Sequence, residues 1–108
     1  MSDRMAYNEL LDHYGGLLTP RQQTIARDYF RDDLSLQEIA ELEGISRAAV
    51  YDMIKRCRED LEHYESVLRI IHNSRIRREL YKRIQETGNA TVQKYIEECL
   101  DTEGGEYD

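Results

Sequence analysis

The sequence predicts an all-α protein, and three observations carry that prediction. Apolar residues recur at three- and four-residue spacing along most of the 108-residue chain. The single proline and the six glycines fall at the edges of these runs. Two short strings, Thr19-Pro20-Arg21-Gln22 and Ser35-Leu36-Gln37-Glu38, have the composition of helix openings. The architecture expected is an N-terminal helix-turn-helix bundle, a long fourth helix and additional C-terminal helices.

The first helix is read from Tyr7, Leu10, Leu11 and Tyr14, with Gly15-Gly16 as its end. The second starts behind Thr19: Pro20 suits the first helical position, and Gln22 completes a capping box. Its apolar face is Ile25, Ala26, Tyr29 and Phe30, and Asp32-Asp33 breaks it. The third opens at Ser35 with Glu38 as the reciprocal cap, and Leu36, Ile39, Ala40 and Leu42 line one side. Gly44 stops it, since helices commonly end on a residue of positive φ. Ser46 caps the fourth, whose apolar residues Val50, Ile54, Cys57, Leu61, Tyr64, Leu68 and Ile71 keep a heptad pattern up to a stop at Asn73-Ser74. A fifth helix carries Ile76, Leu80, Tyr81 and Ile84 and ends at Gly88-Asn89. A sixth carries Val92, Tyr95, Ile96, Cys99 and Leu100. Three parts follow: a helix-turn-helix domain over residues 1–66, a helical extension over 67–101, and a disordered acidic tail over 102–108.

The stretch EIAELEGISRAAVYDMIKR, residues 38–56, has the punctuation of a helix-turn-helix. Ala40 is small where two helices cross, Gly44 makes the turn, Ile45 plugs the corner, and Val50 with Met53 or Ile54 buries the inner face. The outer face then offers Ser46, Arg47, Ala48, Tyr51, Asp52, Lys55 and Arg56, the positions a recognition helix presents to bases and phosphates. Asp52 would approach phosphate, and Glu38, Glu41 and Glu43 make the preceding helix acidic. Two helices joined by a glycine turn also serve as a plain packing module.

The formal charge of -7 hides a distribution. Residues 55–83 hold nine basic and five acidic side chains, whereas residues 84–108 hold one and seven. Charges in water act over about a Debye length, ~8 Å at physiological salt, so a basic patch can attract a polyanion while acids lie elsewhere. The net charge argues against strong nonspecific binding of nucleic acid, not against all binding. In the string RIIHNSRIRRELYKR, residues 69–83, six cations stand against one acid. Arg75, Arg78 and Lys82 share a helical face, Arg77 lies beside them, and planar guanidinium groups suit phosphate and stacked bases. His72 and Tyr81 are nearby stacking candidates. The bland reading is a solvated face paired with acids, the tail among them, and the tail is also a candidate competitor for RNA.

The string LLTPRQQTIARDYFRDDLSLQEIAELEGISRAAVYDMIKR resembles region four of a bacterial sigma factor. The fuller resemblance is to the YlxM family of small bacterial proteins, through YFRDDLSLQEIAELEGISRAAVYDMIKR, the upstream LLDHYGGLLTPRQ and the downstream EHYESVL. It covers about residues 7 to 70, with SRAAVYDMIKR as its specific part; Glu43 stands where the family usually has an apolar or aromatic residue. The resemblance implies an all-helical cytoplasmic protein with a regulatory role in the signal recognition particle pathway. The implied partners are the particle's GTPase subunit and its RNA. The alternative is a dimeric DNA-binding transcriptional regulator.

The heptad pattern bears on assembly. Helix-turn-helix packing occupies only its first turns, so Leu61, Tyr64, Leu68 and Ile71 need cover. Either the last two helices fold back, or a second chain supplies it, with Tyr95 and Ile96 as a ready counterpart. A homodimer is expected. No run of 18 apolar residues occurs and the N-terminus lacks a basic-then-apolar signal segment, so a cytoplasmic protein without membrane contact is expected. His13, His63 and His72 lack ligand spacing, Cys57 and Cys99 read as buried thiols, and no nucleophile elbow or phosphate-cradling glycine loop is present. Neither catalysis nor a metal or cofactor is expected.

Overall fold

A computed structural model of the protein describes residues 2–103. These form six α-helices: α1 (Ser2–Tyr14), α2 (Pro20–Phe30), α3 (Leu36–Glu43), α4 (Arg47–Leu68), α5 (Ile70–Gln85) and α6 (Ala90–Thr102). The chain divides into two compact units, residues 1–68 and 69–108.

In the first unit the helix starts are local chemistry. Thr19 Oγ1 accepts the Gln22 N–H at 3.2 Å, and the Gln22 side chain accepts the Thr19 N–H at 2.9 Å. Ser35 and Glu38 repeat this reciprocal pair at 3.0 and 2.9 Å. Each such cap satisfies two amide donors that the first turn leaves without partners, and removing one costs about 1 kcal/mol.

The helices α1, α2 and α3 all pack on α4. Their common core contains Leu11, Tyr14, Ile25, Phe30, Ile39, Val50, Ile54, Cys57 and Leu61, all buried. Each leucine, isoleucine, valine or phenylalanine among them contributes roughly 1.5–3 kcal/mol through apolar area removed from water. Tyr7 stacks on Phe30 at 5.1 Å between ring centroids, and Tyr29 meets the same ring edge-on at 5.0 Å. Leu42, expected on the packed side of the third helix, is 65% exposed; Ile39 and Ala40 carry that contact.

The long fourth helix is shorter than the heptad pattern predicts. It ends at Leu68, because Arg69 takes a left-handed backbone (φ 54°), a conformation that costs a non-glycine residue about 1 kcal/mol. Ile71 therefore belongs to α5, and Asn73 and Ser74 lie inside that helix, Ser74 buried, instead of marking a helix end.

The cover expected from distant helices or a second chain is, for Leu61 and Tyr64, supplied within the first unit. Leu61 is fully buried, α1 packs on α4, and the Tyr14 ring lies 6.2 Å from that of Tyr64. The hydroxyls of Tyr7 and Tyr14 donate to Glu62 and Glu65, further along the same helix. Leu68 remains half exposed.

In the second unit α5 packs on α6, with Ile96 buried and Tyr95 exposed. Asn89 caps α6, accepting the Val92 N–H at 3.1 Å. The expected tail begins too early: Thr102 closes α6, and Glu103 is buried and bonded to α5. The rest of that stretch, residues 104–108, lies outside the described residues.

Candidate nucleic-acid interface

The geometry of the helix-turn-helix follows from four residues. Gly44 sits at φ 69°, ψ 35°, and its N–H donates to the Ala40 carbonyl. The Ile45 N–H donates to the same oxygen at 3.1 Å, which locks the corner. Ser46 Oγ accepts the Ala49 N–H at 3.1 Å, so the Ser46 side chain holds the start of α4 while remaining at the surface. Val50 and Ile54 face inward and are buried.

Outward lie Arg47, Ala48, Tyr51, Asp52 and Lys55, all exposed. Tyr51, 57% exposed, presents a flat ring with no core role. Arg56 is exposed and pairs with Asp60 one turn on, Nε to Oδ1 at 3.3 Å. The acids of α3 are engaged locally. Glu38 closes its cap, Glu41 accepts from the Gln37 amide at 3.1 Å, and Glu43 lies 3.8 Å from Arg21. Glu43 also lies beside Asp28. Burial, and then the Glu43 and Asp32 charges, raise the Asp28 carboxyl above the usual carboxylate range.

A further cation of α4 is absent from this surface. Arg58 turns inward, with Cζ 5.4 Å from the Tyr7 centroid, 5.5 Å from Phe30 and 5.7 Å from Tyr29. The sequence carried a usable signal. Arg58 stands four residues after Ile54 and three before Leu61, so it borders the buried stripe of α4.

The second basic cluster lies on α5. Arg75, Arg78 and Lys82 fall on one side of α5; Arg75 and Lys82 are exposed and Arg78 is half-buried. Arg83 pairs with Glu79 at 3.5 Å. A shallow groove along the exposed side is lined by His72, Arg75, Ile76, Glu79, Leu80 and Arg83. Arg77 departs from the expectation. Its Nε and Nη2 donate to the two carboxylate oxygens of Glu103, at 2.7 and 2.8 Å. The Tyr81 hydroxyl, expected as part of a stacking surface, donates to Glu103 as well, at 2.8 Å.

Among the described residues no group of His, Cys, Asp and Glu is arranged to hold a metal ion, and no helix is long and apolar enough to cross a membrane. Both cysteines are free thiols; Cys57 is buried with its Sγ 3.8 Å from the Gln22 carbonyl oxygen, and Cys99 is half-buried.

A short capped helix, a left-handed glycine turn and a second helix with its inner face buried make this a helix-turn-helix protein. More particularly, the chain belongs to the UPF0122 family. The family description "Putative helix-turn-helix protein, YlxM / p13 like" matches residues 1–102, so the kinship reaches through α6 and well past residue 70. The chain is 38% identical over 107 residues to a UPF0122 protein of Clostridium perfringens strain 13, covering 94% of this chain and 96% of that protein. It is 47% identical over 81 residues to one from Clostridium botulinum strain Alaska E43, covering 75% and 73%. A UPF0122 protein of Malacoplasma penetrans strain HF-2 is 38% identical over 94 residues, covering 87% and 82%.

Proposed function

We propose that the protein is a non-catalytic regulatory adaptor in the cytoplasmic signal recognition particle pathway, binding the particle's RNA and its GTPase subunit. The pathway comes from the YlxM resemblance. The choice of RNA and protein over duplex DNA rests on one observation: the outer face of the helix-turn-helix is close to neutral. Asp52 stands between Arg47 and Lys55, Arg56 is paired with Asp60, and Arg58 is stacked inside. Duplex binding draws much of its free energy from phosphate neutralisation, which this face supplies weakly. Cationic density is higher on α5, where Arg75, Arg78 and Lys82 suit the phosphates and splayed bases of a structured RNA.

The second reading, a DNA-binding regulator, is favoured by the exposure of Arg47, Tyr51 and Lys55 on a well-formed recognition helix. Titrations at equal salt against duplex DNA, the particle RNA and the particle GTPase separate the two. The adaptor binds the RNA or the GTPase, and Arg75→Ala with Arg78→Ala weakens it. A DNA reader loses ~1–3 kcal/mol of site-specific affinity with Arg47→Ala and is indifferent to α5.

The adaptor is a homodimer in this reading, joined through the exposed face of α5 in place of the expected seam of Leu61, Tyr64, Leu68, Ile71, Tyr95 and Ile96. Ile76, Leu80 and Ile84 form an exposed apolar row, bordered by Glu79 and Arg83. An antiparallel second copy sets apolar against apolar and acid against base. Sedimentation equilibrium at micromolar concentration tests it: Leu80→Glu yields a monomer, and a wild-type monomer refutes the arrangement.

A further inference from the structure

Glu103 follows the last turn of α6, where the helix dipole disfavours a negative charge, and it is buried, which disfavours it again. It stays because three side chains of α5 converge on it. Arg77 Nε donates to Oε2 at 2.7 Å, and Arg77 Nη2 donates to Oε1 at 2.8 Å. The Tyr81 hydroxyl adds a bond to Oε2 at 2.8 Å, and the Ser74 hydroxyl one to Oε1 at 3.0 Å. Each carboxylate oxygen thus accepts two hydrogen bonds. The donors stand at positions i, i+3 and i+7, so they share a single helical face and are set by α5 itself. Arg77, held from Nε and Nη2, offers the planar fork that suits two oxygens on one centre.

Two anionic oxygens on one atom describe a carboxylate, and equally the non-bridging pair of a phosphodiester. The site stands on the helix that carries Arg75, Arg78 and Lys82. We propose that Ser74, Arg77 and Tyr81 form an anion-binding site that Glu103 occupies in cis, and that a backbone phosphate of bound RNA replaces Glu103 there. This rests on the RNA reading above. Opening the site needs only the residue beyond the last turn of α6 to swing out. Glu103 is then an internal competitor, and RNA must displace it before α5 engages fully.

The test is fluorescence anisotropy of a labelled RNA hairpin with the full chain. Glu103→Ala is compared with Glu98→Ala, which removes one carboxylate from an exposed position of α6. Glu103→Ala is expected to tighten binding about tenfold, as one or two charge-assisted contacts become available. Glu98→Ala is expected to change it less than about twofold. Arg77→Met placed in the Glu103→Ala chain returns the affinity to the wild-type value. Equal effects of Glu103→Ala and Glu98→Ala, or a gain that survives loss of Arg77, overturn the proposal. Should circular dichroism show that Glu103→Ala has lost helix, Glu103→Gln is compared with Glu98→Gln on the same terms. If no form of the chain binds the hairpin, the RNA reading falls. The site is then judged with inorganic phosphate, which must shift the Arg77 Nε–H resonance in Glu103→Ala and leave it in place in the wild type; no shift overturns the site as well.

Discussion

The Arg58 guanidinium lies over the ring of Phe30, Cζ to centroid 5.5 Å, and within 5.4 and 5.7 Å of the Tyr7 and Tyr29 ring centroids. The four groups come from α1, α2 and α4, so the stack ties three helices together. A partly desolvated cation on aromatic faces contributes up to about 2 kcal/mol, and the arginine stem adds apolar cover. Arg58→Ala is therefore expected to lower stability by about 2 kcal/mol in urea denaturation. Arg58→Lys keeps the charge but loses the planar stacking, and is expected to recover less than half of that. A loss below ~0.5 kcal/mol for Arg58→Ala would mean that the stack contributes no more than an ordinary surface contact.

The two cysteines differ in environment. Cys57 is fully buried, and burial, reinforced by the Asp60 charge, pushes its thiol up to about 11. Only the thiolate attacks alkylating reagents, so Cys57 is protected by access and by protonation together. Iodoacetamide at pH 8 should label Cys99 roughly a hundredfold faster than Cys57, read by peptide mass spectrometry. Equal rates would show that the α1–α4 core opens faster than the reagent reacts.

What the sequence made legible was local. Both capping boxes close within four residues, and Gly44 marks the turn by its backbone freedom alone. The break between α4 and α5 was not legible. Arginine is a good helix former, the heptad pattern runs through Arg69, and nothing beside it signals a stop. Periodicity reports which side of a helix is buried, not what covers it, so α1 was missed as the cover for Leu61 and Tyr64. Of the candidate site, the outer face of α4 followed from spacing. The capture of Arg77 by Glu103, 26 residues away, is a tertiary contact that no local pattern encodes.

Gly44 allows a clean measurement of backbone cost. Its φ is 69°, and a Cβ built there meets nothing within 4 Å. Gly44→Ala is expected to destabilise by about 1 kcal/mol through backbone strain alone. Gly44→Asn should cost less, since asparagine tolerates the left-handed region. The midpoint of urea unfolding checks both. Equal losses for the two would point to a crowded turn instead.

The pH response should differ between the two units. Hydrogen bonds from Arg77, with those from Tyr81 and Ser74, hold the Glu103 carboxyl down at about 2, against an ordinary value of 4.5. A group whose folded pKa is depressed stabilises above its unfolded value, and that contribution is lost as pH falls from about 4.5 toward 2. Asp28 has the opposite sign. Its carboxyl is raised above its ordinary value of 3.8, first by burial and then by Glu43, so the folded form binds the proton more tightly and acidification down toward 3.8 favours folding. Hydrogen exchange between pH 6 and 3, corrected for intrinsic rates, should show α6 losing protection while α2 around Asp28 keeps it. Glu103→Gln should abolish the acid-dependent part of the α6 loss. Parallel loss in α2 and α6, unchanged by Glu103→Gln, would assign the acid response to charge on the whole chain and not to this carboxylate.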